Sequence, residues 1–563
     1  MALYSVQYIE SLEARISNVS HEAPPADADM SLDQPAEDVP SRDNTDPRNI
    51  REFPHSQSAA DQLDVAFMAP LDASNNMIYD LDMVQSEGNL FSVNQVADHD
   101  TATSTATPVH VLGQGSAPTF AEVSINEGAL FFQVYFEAIH PRYPFLDVEE
   151  CSRGYQDWKT GEIFMSGGHG WRSYLVKMIF AVGSLLRQAK LDCSTRQQHH
   201  NLMLQAQADQ TIVTDNSYKP VVRLQAMLLY AIHALHGEST PRLVHIIGVA
   251  MRFAVMKRFH CLVYDGTAET TMAIRVWWCI YSLDKVVAIT LRLPPYPPED
   301  WITTPVYGDG LEQPRYMMPW SSDVPGATAG STYDFDLSYH SHMCRIRRIH
   351  SRILSTTQTI APEARAAFTD GIRAEIDQWS QDGQMYGYGR ANTQGYASSI
   401  GLNHVAASTR VILYRLDPAD IASPQTDEYL QSCCDFSGIF RALQKKREIP
   451  KHWIDMLFNF QVGVTMIYIL YRRAIPVPKH VDRAIRDITS AVAIFADRSE
   501  KADIYRDCLD VLASSTSRSC TPGTIDEESR EEISSLVQQI IESGTSPDIA
   551  AMLLEMSQNS GND

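Results

Sequence analysis

With 563 residues, of which 44% are hydrophobic and 20% charged, the chain can bury a large core, which excludes a protein disordered throughout its length. The formal net charge of −23 argues against tight DNA binding by the chain as a whole. No secretory signal opens the sequence, and the longest apolar run of its last third, residues 462–471, is about half as long as a membrane-spanning helix, so we expect a soluble intracellular protein.

The nine cysteines contain no C-x-x-C pair. This spacing offers no disulfide framework for so long a chain, and it excludes zinc ribbons, zinc fingers and six-cysteine zinc clusters within the printed sequence. Most of the cysteines lie in apolar helical patterns, and we interpret them as small buried residues.

Residues 1–20 form the first predicted element. Ile9, Leu12, Ile16 and Val19 follow the a/d spacing of a coiled coil over about two heptads. Because so short a helix is marginal in water, two interpretations stay open: a short surface helix, or a segment through which the chain forms a homo- or heterodimer.

The next segment, 21–118, is an acidic linker that we expect to be disordered. Residues 1–118 hold nineteen acidic residues and four arginines, and they are too polar to offset the entropy of ordering. Bulky side chains such as Phe67, Tyr79 and Phe91 nevertheless lie among the acidic ones, which is typical of transcriptional activation segments. A plain acidic linker is the alternative.

The folded part is predicted to span 119–515. Apolar residues recur there at helical spacing, and no long run alternates with period two, so an all-α fold, a large multi-helix array, is favoured over α/β. After a first helix near 130–139, helices are predicted over 174–186, 201–214, 220–236, 242–259, 275–291, 339–356, 362–380, 401–416, 429–446, 453–474 and 481–514. Residues 516–563 are predicted to be a short polar tail with two amphipathic patterns.

The predicted helix over 275–291 is apolar on two faces, so it must be buried. Four prolines beginning with Pro294 end it, since each fixes φ and removes a donor. Asp284 lies within this helix, and a buried carboxylate needs a partner. Arg252, Arg275 and Arg292 are the candidates for an ion pair, whereas the alternative is a catalytic carboxylate.

Several motifs along these helices resemble one known family. Arg275, the pair Trp277 and Trp278, Tyr281 and Asp284, followed by a proline loop, are similar to the central helix of the fungal-specific transcription factor domain. That domain usually follows a binuclear zinc cluster, and residues 1–20 resemble the coiled coil just after the cluster. Two interpretations stay open: the protein lacks the cluster, or the initiator methionine is set too far downstream.

The resemblance departs from the family at two turns. Leu291-Arg292-Leu293-Pro294 stands where a Gly-Arg-Pro is usual, and Arg258-Phe259 stands where a Gly-Leu is usual. The resemblance implies a structural or regulatory core made by the residues Arg252, Arg275, Trp277, Trp278, Tyr281, Asp284 and Pro294.

Other chemistries find little support in the sequence. His340 and Cys344 share a helical face, but the arginines that follow them work against a divalent cation. The motifs of serine hydrolases, zinc proteases, dinucleotide-binding proteins and P-loop proteins are absent. We therefore predict no metal, no cofactor and no enzymatic activity, with a helical enzyme around Asp284 as the alternative.

The resemblance implies a nuclear transcription regulator that controls a gene set, such as a metabolic or secondary-metabolite cluster. Its expected partners are the transcription machinery or a coactivator, a small-molecule effector, and DNA either indirectly or through a zinc cluster encoded upstream. A scaffold or effector-binding protein outside transcription is a further alternative.

Overall fold

The computed structural model describes residues 123–165, 170–187, 206, 211–237, 239–306, 316–325, 332–333, 337–356, 360–385, 398–415, 425–446, 452–497, 499–518 and 525–558. The chain divides into two units, 1–59 and 60–563, and every described residue belongs to the second. The predicted coiled-coil helix of 1–20, the acidic linker of 21–118 and the candidate activation residues Phe67, Tyr79 and Phe91 lie outside the described residues.

The described part is built from helices, which confirms the predicted all-α class. In chain order the helices are α1 (Ile125–Ala138), α2 (Val148–Thr160), α3 (Glu162–Met165), α4 (Trp171–Arg187), α5 (Thr211–Thr214), α6 (Pro220–Leu235), α7 (Thr240–Met256), α8 (Ala268–Leu291), α9 (Ser338–Thr356), α10 (Pro362–Met385), α11 (Ser399–Leu413), α12 (Gln425–Lys446), α13 (Trp453–Arg473), α14 (Lys479–Ala496), α15 (Asp503–Arg518), α16 (Glu527–Glu542) and α17 (Pro547–Ser557).

Short elements join these helices. Within the described residues, four 3₁₀ turns cover Phe259–Cys261, Glu299–Trp301, Pro319–Ser322 and Glu500–Ala502. Two strands of two residues each, β1 (Tyr316–Met317) and β2 (Thr332–Tyr333), pair antiparallel, with Tyr316 opposite Tyr333. The single helix predicted over 481–514 is interrupted between α14 and α15, because Ser499 N donates back to the carbonyl oxygens of Phe495 and Ala496 and closes the first helix.

One large hydrophobic core runs through the described helices, and α8 is largely buried within it. A close helix approach that the sequence concealed lies between α1 and α4, at Gly183. A Cβ atom there would meet the carbonyl oxygen of Phe131 at 2.6 Å and its Cα at 2.8 Å. Only glycine therefore lets these two helices pack at this distance.

The structure departs most from the sequence prediction in residues 516–563, which were predicted to be a polar tail. Within it, α16 and α17 bury apolar side chains such as Ile533, Ile549 and Leu553 in the same core. Both amphipathic patterns were visible in the sequence, but the many exposed Ser and Glu residues of α16 concealed that the opposite face is buried. Residues 525–558 therefore belong to the folded domain.

Asp548, in the first turn of α17, attaches this last helix to the centre of the fold. Its carboxylate is 6% exposed and lies 3.1 Å from Arg292 Nε and 3.2 Å from Arg415 Nη2. Arg415 also donates to the carbonyl oxygen of Ile289. Burial alone would raise the pKa of the Asp548 carboxyl, but the two guanidinium groups outweigh it and hold that pKa below its usual value.

Helix α13 is the one described helix long and apolar enough to cross a membrane on length and composition alone. In the fold, 89% of its most apolar window is buried among other helices. That burial is typical of a core helix in a globular domain.

Two glycine substitutions test the packing at Gly183. Gly183→Ala should lower the free energy of unfolding by about 1–3 kcal/mol, because α1 and α4 must move apart. Gly438→Ala, on α12, is the matched control: no atom lies within 4 Å of the added methyl group, so helix propensity should raise stability by about 0.5–1 kcal/mol. Urea unfolding followed by circular dichroism measures both; equal effects would contradict the close approach.

Candidate functional site

Helix α8 begins and ends where its sequence provides caps. The Thr267 side chain accepts a hydrogen bond from Thr270 N at the start. At the end, Arg292 adopts a left-handed conformation with φ 55°, and Leu293 N donates to the carbonyl oxygen of Ala288. Pro294, which is exposed, opens the extended loop that follows. This loop then runs back along α8, since residue 296 contacts Lys285, residue 299 contacts Tyr281 and residue 305 contacts Trp278.

Arg275 connects α8 to the turn between α1 and α2. The buried side chain donates to the carbonyl oxygens of Pro144 at 2.6 Å and Leu146 at 2.8 Å. These carbonyls follow the last turn of α1 and have no place in a helical ladder, so the guanidinium satisfies them inside the core. Arg275 is thus a structural residue that closes this turn.

The aromatic residues of α8 fall into two groups. Trp277 is fully buried, whereas Trp278 uses its indole nitrogen to donate to the carbonyl oxygen of Pro305 at 2.9 Å. Tyr281 donates its hydroxyl proton to the carboxylate of Glu299. Two of the three aromatic residues therefore hold the returning loop against α8.

Asp284 is paired, but the predicted arginine partner is wrong. Its Oδ2 lies 2.8 Å from Nζ of the neighbouring Lys285, whose side chain is 0% exposed, against 18% for Asp284. Lys285 Nζ also donates to the carbonyl oxygen of Tyr296 at 2.8 Å and lies 4.7 Å from the centre of the Tyr281 ring. Burial raises the pKa of the Asp284 carboxyl, and Lys285 opposes that shift.

The three candidate arginines serve other contacts. Arg275 binds the carbonyls described above, Arg292 pairs with Asp548, and Arg252 places its guanidinium 4.2 Å from the centre of the Tyr296 ring. The arginine on α7 and the lysine on α8 therefore contact the same loop residue. Lys285, which was not among the candidates, is the group that joins Asp284 to the loop.

A cleft of about 590 Å³ opens beside Glu299 between α9 and α10. Three arginines of α9 line it, and each faces a carboxylate: Arg345 with Asp382, Arg348 with Glu299, and Arg352 with Glu375. Ile346, Ile349 and Ile353 of the same helix are buried. The basic cluster is thus the polar border of a packed helix, and Glu299 joins this border to Tyr281.

A second group of polar side chains lies deep in the core. His340 Nε2 is 3.5 Å from Cys344 Sγ and 3.8 Å from Cys279 Sγ, and its Nδ1 is 2.8 Å from the carbonyl oxygen of Arg142. Burial lowers the pKa of His340 to about 4 and raises the pKa of Cys344 to about 12. The imidazole and both thiols are therefore neutral at physiological pH. Within the described ranges, no three side chains of ligating type are placed to hold a metal ion.

The buried contacts of α8 and its loop carry the residues on which the family resemblance was based. Residues 132–381 match the family model of the fungal specific transcription factor domain. This chain carries that domain. No curated protein matches the chain. The fungal specific transcription factor domain is a regulatory domain of transcription factors, and the match starts in α1 and ends in α10.

The structure brings most of the sequence-predicted residues of this domain to one place. Tyr281 and Asp284 of α8 and Arg252 of α7 all act on the loop, Asp284 through Lys285. It also adds Lys285, Tyr296 and Glu299, which sequence reasoning missed. The tandem prolines marked the loop, but nothing in the sequence indicated which of its carbonyl or carboxylate groups would return to α8.

Asp284→Asn should lower the free energy of unfolding by about 3 kcal/mol, since it leaves the fully buried Lys285 ammonium without a counter-charge. Combining it with Lys285→Met should recover part of that loss, because neither charge is then buried alone. Thermal and urea unfolding of the parent, both single variants and the double variant give the coupling energy. A variant Asp284→Asn that melts like the parent would rule out this structural role.

Acid pH should destabilise the domain through its buried histidines. Arg345 donates to His342 Nδ1 at 2.9 Å, and Arg347 donates to His350 Nδ1 at 3.1 Å, so protonation would place two cations in contact. Burial, then the neighbouring arginine, lowers the pKa of His342 to about 3 and that of His350 well below its usual value.

In the unfolded chain these histidines have pKa values of about 6.5, so below that pH they bind protons that they do not bind in the folded domain. Stability should therefore be constant above about pH 7 and fall by up to about 1.4 kcal/mol per pH unit for each such histidine below about pH 6. Urea midpoints from pH 8 to 5 measure the slope, and His350→Gln should reduce it. A flat profile would contradict the neutral state of these imidazoles.

Proposed function

We propose that this chain is a nuclear transcription regulator that controls a gene set, such as a metabolic or secondary-metabolite biosynthetic cluster, and that it is not an enzyme. The observation that carries the proposal is the match of residues 132–381 to a regulatory domain of fungal transcription factors. The tests below separate this function from the enzyme and scaffold alternatives.

The contacts of Asp284 favour regulation over catalysis. The carboxylate that would serve an enzyme is engaged by Lys285, and Lys285 in turn holds the backbone of the proline loop. Asp284 does not line the cleft between α9 and α10. A catalytic carboxylate needs access to a substrate, whereas this one stabilises a loop.

Contact with DNA, in this proposal, is indirect or uses a zinc cluster encoded upstream. The net charge of −23 gives the printed chain little electrostatic attraction for phosphate groups. The proposed partners are the transcription machinery or a coactivator, which would bind the acidic segment containing Phe67, Tyr79 and Phe91. Residues 1–20 would provide a homo- or heterodimer contact, and a small-molecule effector has room in a second cleft of about 540 Å³ beside Ala407 and Gly438.

The direct test is a deletion strain whose transcripts are compared with those of strains complemented by the parent chain or by a variant with Phe67, Tyr79 and Phe91 changed to Ala. The parent should restore a defined group of transcripts, and the triple variant, at equal protein level, should not. A fluorescent fusion should accumulate in the nucleus. Unchanged transcripts in the deletion strain, or a fusion confined to the cytosol, would refute the proposal.

A further inference from the structure

The second cleft, of about 540 Å³, opens between α11 and α12. Residues of both helices line it, and the apolar ones include Ile400, Ala407, Ile439 and Ala442. Its volume lies within the range of small-molecule sites, which are concave and mostly apolar. We call it the α11–α12 cleft.

The α11–α12 cleft has two different ends because its two helices run antiparallel. Tyr414 directly follows α11 and Glu428 lies in the first turn of α12, yet both contact Arg373 of α10. The Nη1 atom of Arg373 lies 3.4 Å from Tyr414 Oη and 4.0 Å from Glu428 Oε2. The C-terminal end of α11 therefore lies beside the N-terminal end of α12.

One end of the cleft is polar and the other is apolar. Arg410 and Ser432 line the polar end, and Ile400 and Ala442 line the apolar end. Residues 400 to 410 of α11 rise about 15 Å along the helix axis, which gives the length of the cleft. A molecule that fills it needs a polar head group at one end and an apolar body.

The charges that line the cleft are already balanced. Arg410 Nη2 pairs with Asp377 of α10 at 2.5 Å, and Asp435, the other charged lining residue, accepts a hydrogen bond from Gln431 Nε2 at 2.9 Å. Burial, followed by the charge of Asp435, raises the pKa of the Cys434 thiol to about 11, so this lining residue is neutral at physiological pH. One guanidinium beside two carboxylates offers no net attraction to an anion. The α11–α12 cleft therefore suits an uncharged molecule.

Ser432 provides a hydrogen-bonding group for such a molecule. It is 8% exposed and lines the cleft, and its hydroxyl has no hydrogen-bond partner within the described residues. Other hydroxyls on the same two helices are satisfied, since Ser408 donates to the carbonyl oxygen of Val405 and Ser437 donates to that of Cys434, both at 2.9 Å. An enclosed hydroxyl without a partner costs free energy that a bound molecule can recover.

Gly438 leaves space in the middle of the cleft. Glycine destabilises a helix interior relative to alanine, so a helical glycine calls for a reason. At Gly183 and Gly463 the reason is packing, because an added Cβ would approach a neighbouring atom to 2.6 and 2.8 Å respectively. At Gly438 no atom lies within 4 Å of an added Cβ. A molecule in the cleft can therefore contact the backbone of α12 at this residue.

We propose that the α11–α12 cleft binds an uncharged, mainly apolar small molecule with one hydrogen-bonding head group, such as a ketone. The head group accepts a hydrogen bond from Ser432, and the apolar body lies against Gly438 and reaches Ile400 and Ala442. This inference rests on the proposed function, because it gives the chemical class of the effector expected there. Binding itself is measured on the purified chain, in the absence of DNA.

The neutral fluorescent ketone PRODAN, a substituted naphthalene, tests the site by titration of the full chain. The parent should bind it saturably at one site per chain, with a blue-shifted emission. Gly438→Leu should weaken binding about tenfold or more, because the new side chain occupies the cleft, while the melting temperature stays equal or rises. Gly371→Leu, on α10, is the matched control: Gly371 also faces open space, but it lines neither cleft, so binding should be unchanged.

Two further comparisons test the head group and the charge of the ligand. Ser432→Ala should weaken PRODAN binding about three- to tenfold through the lost hydrogen bond, whereas Ser408→Ala, which removes a hydroxyl outside the cleft, should not. Naphthyl methyl ketone should displace PRODAN about tenfold more effectively than naphthoate, which has the same ring system but carries a carboxylate that Asp435 repels.

The site would be refuted by a parent chain that does not bind PRODAN saturably, by a Gly438→Leu variant that binds like the parent, or by equal weakening from Gly371→Leu. Naphthoate that competes as well as the ketone would overturn the assignment of an uncharged ligand. A chain that binds PRODAN as expected but controls no transcripts refutes only the proposed function. A chain that controls transcripts but lacks this binding refutes only the site.

Discussion

The described domain depends on one fully buried ammonium group. The Lys285 side chain is fully buried, so contacts with the protein replace solvation by water. Its Nζ pairs with Asp284, donates a hydrogen bond to the carbonyl oxygen of Tyr296, and lies over the Tyr281 ring. Each of these contacts belongs either to α8 or to the loop that follows. The lysine therefore determines where the chain goes after its longest buried helix, and the position of Glu299 beside α9 follows from that path.

Most of the helices could be predicted from the hydrophobic periodicity of the sequence. Most helices from α6 to α13 were predicted to within about five residues at each end, because one face of each is apolar and glycine or proline often marks an end; α8 is the exception, since it begins at Ala268, well before the predicted start at 275. The break between α14 and α15 was missed because it contains neither residue, and only the backbone bonds of Ser499 close the helix. Periodicity identifies which face of a helix is buried, but it does not show where backbone hydrogen bonds end the helix.

The sequence predicted several of the residues that form the candidate site, but it did not predict which side chains pair with one another. Burial of Asp284 followed from the apolar helix around it, yet three arginines were considered and the neighbouring lysine is the partner. The reason is geometric, because each arginine contacts another part of the chain instead. Arg275 donates to a backbone carbonyl, Arg292 pairs with a carboxylate, and Arg252 lies over an aromatic ring. A sequence without structure gives no distance between such groups, so the choice between a near lysine and a remote arginine stays open.

The contact of Asp548 has a consequence for synthesis of the protein. Arg292 ends the central helix, while the carboxylate that balances it lies in the last described helix, which leaves the ribosome long after the central helix does. The central helix can form early, but its C-terminal end acquires its native ion pair only once α17 has been made, so a chain truncated before α17 would lack the carboxylate that Arg292 and Arg415 share in the folded domain.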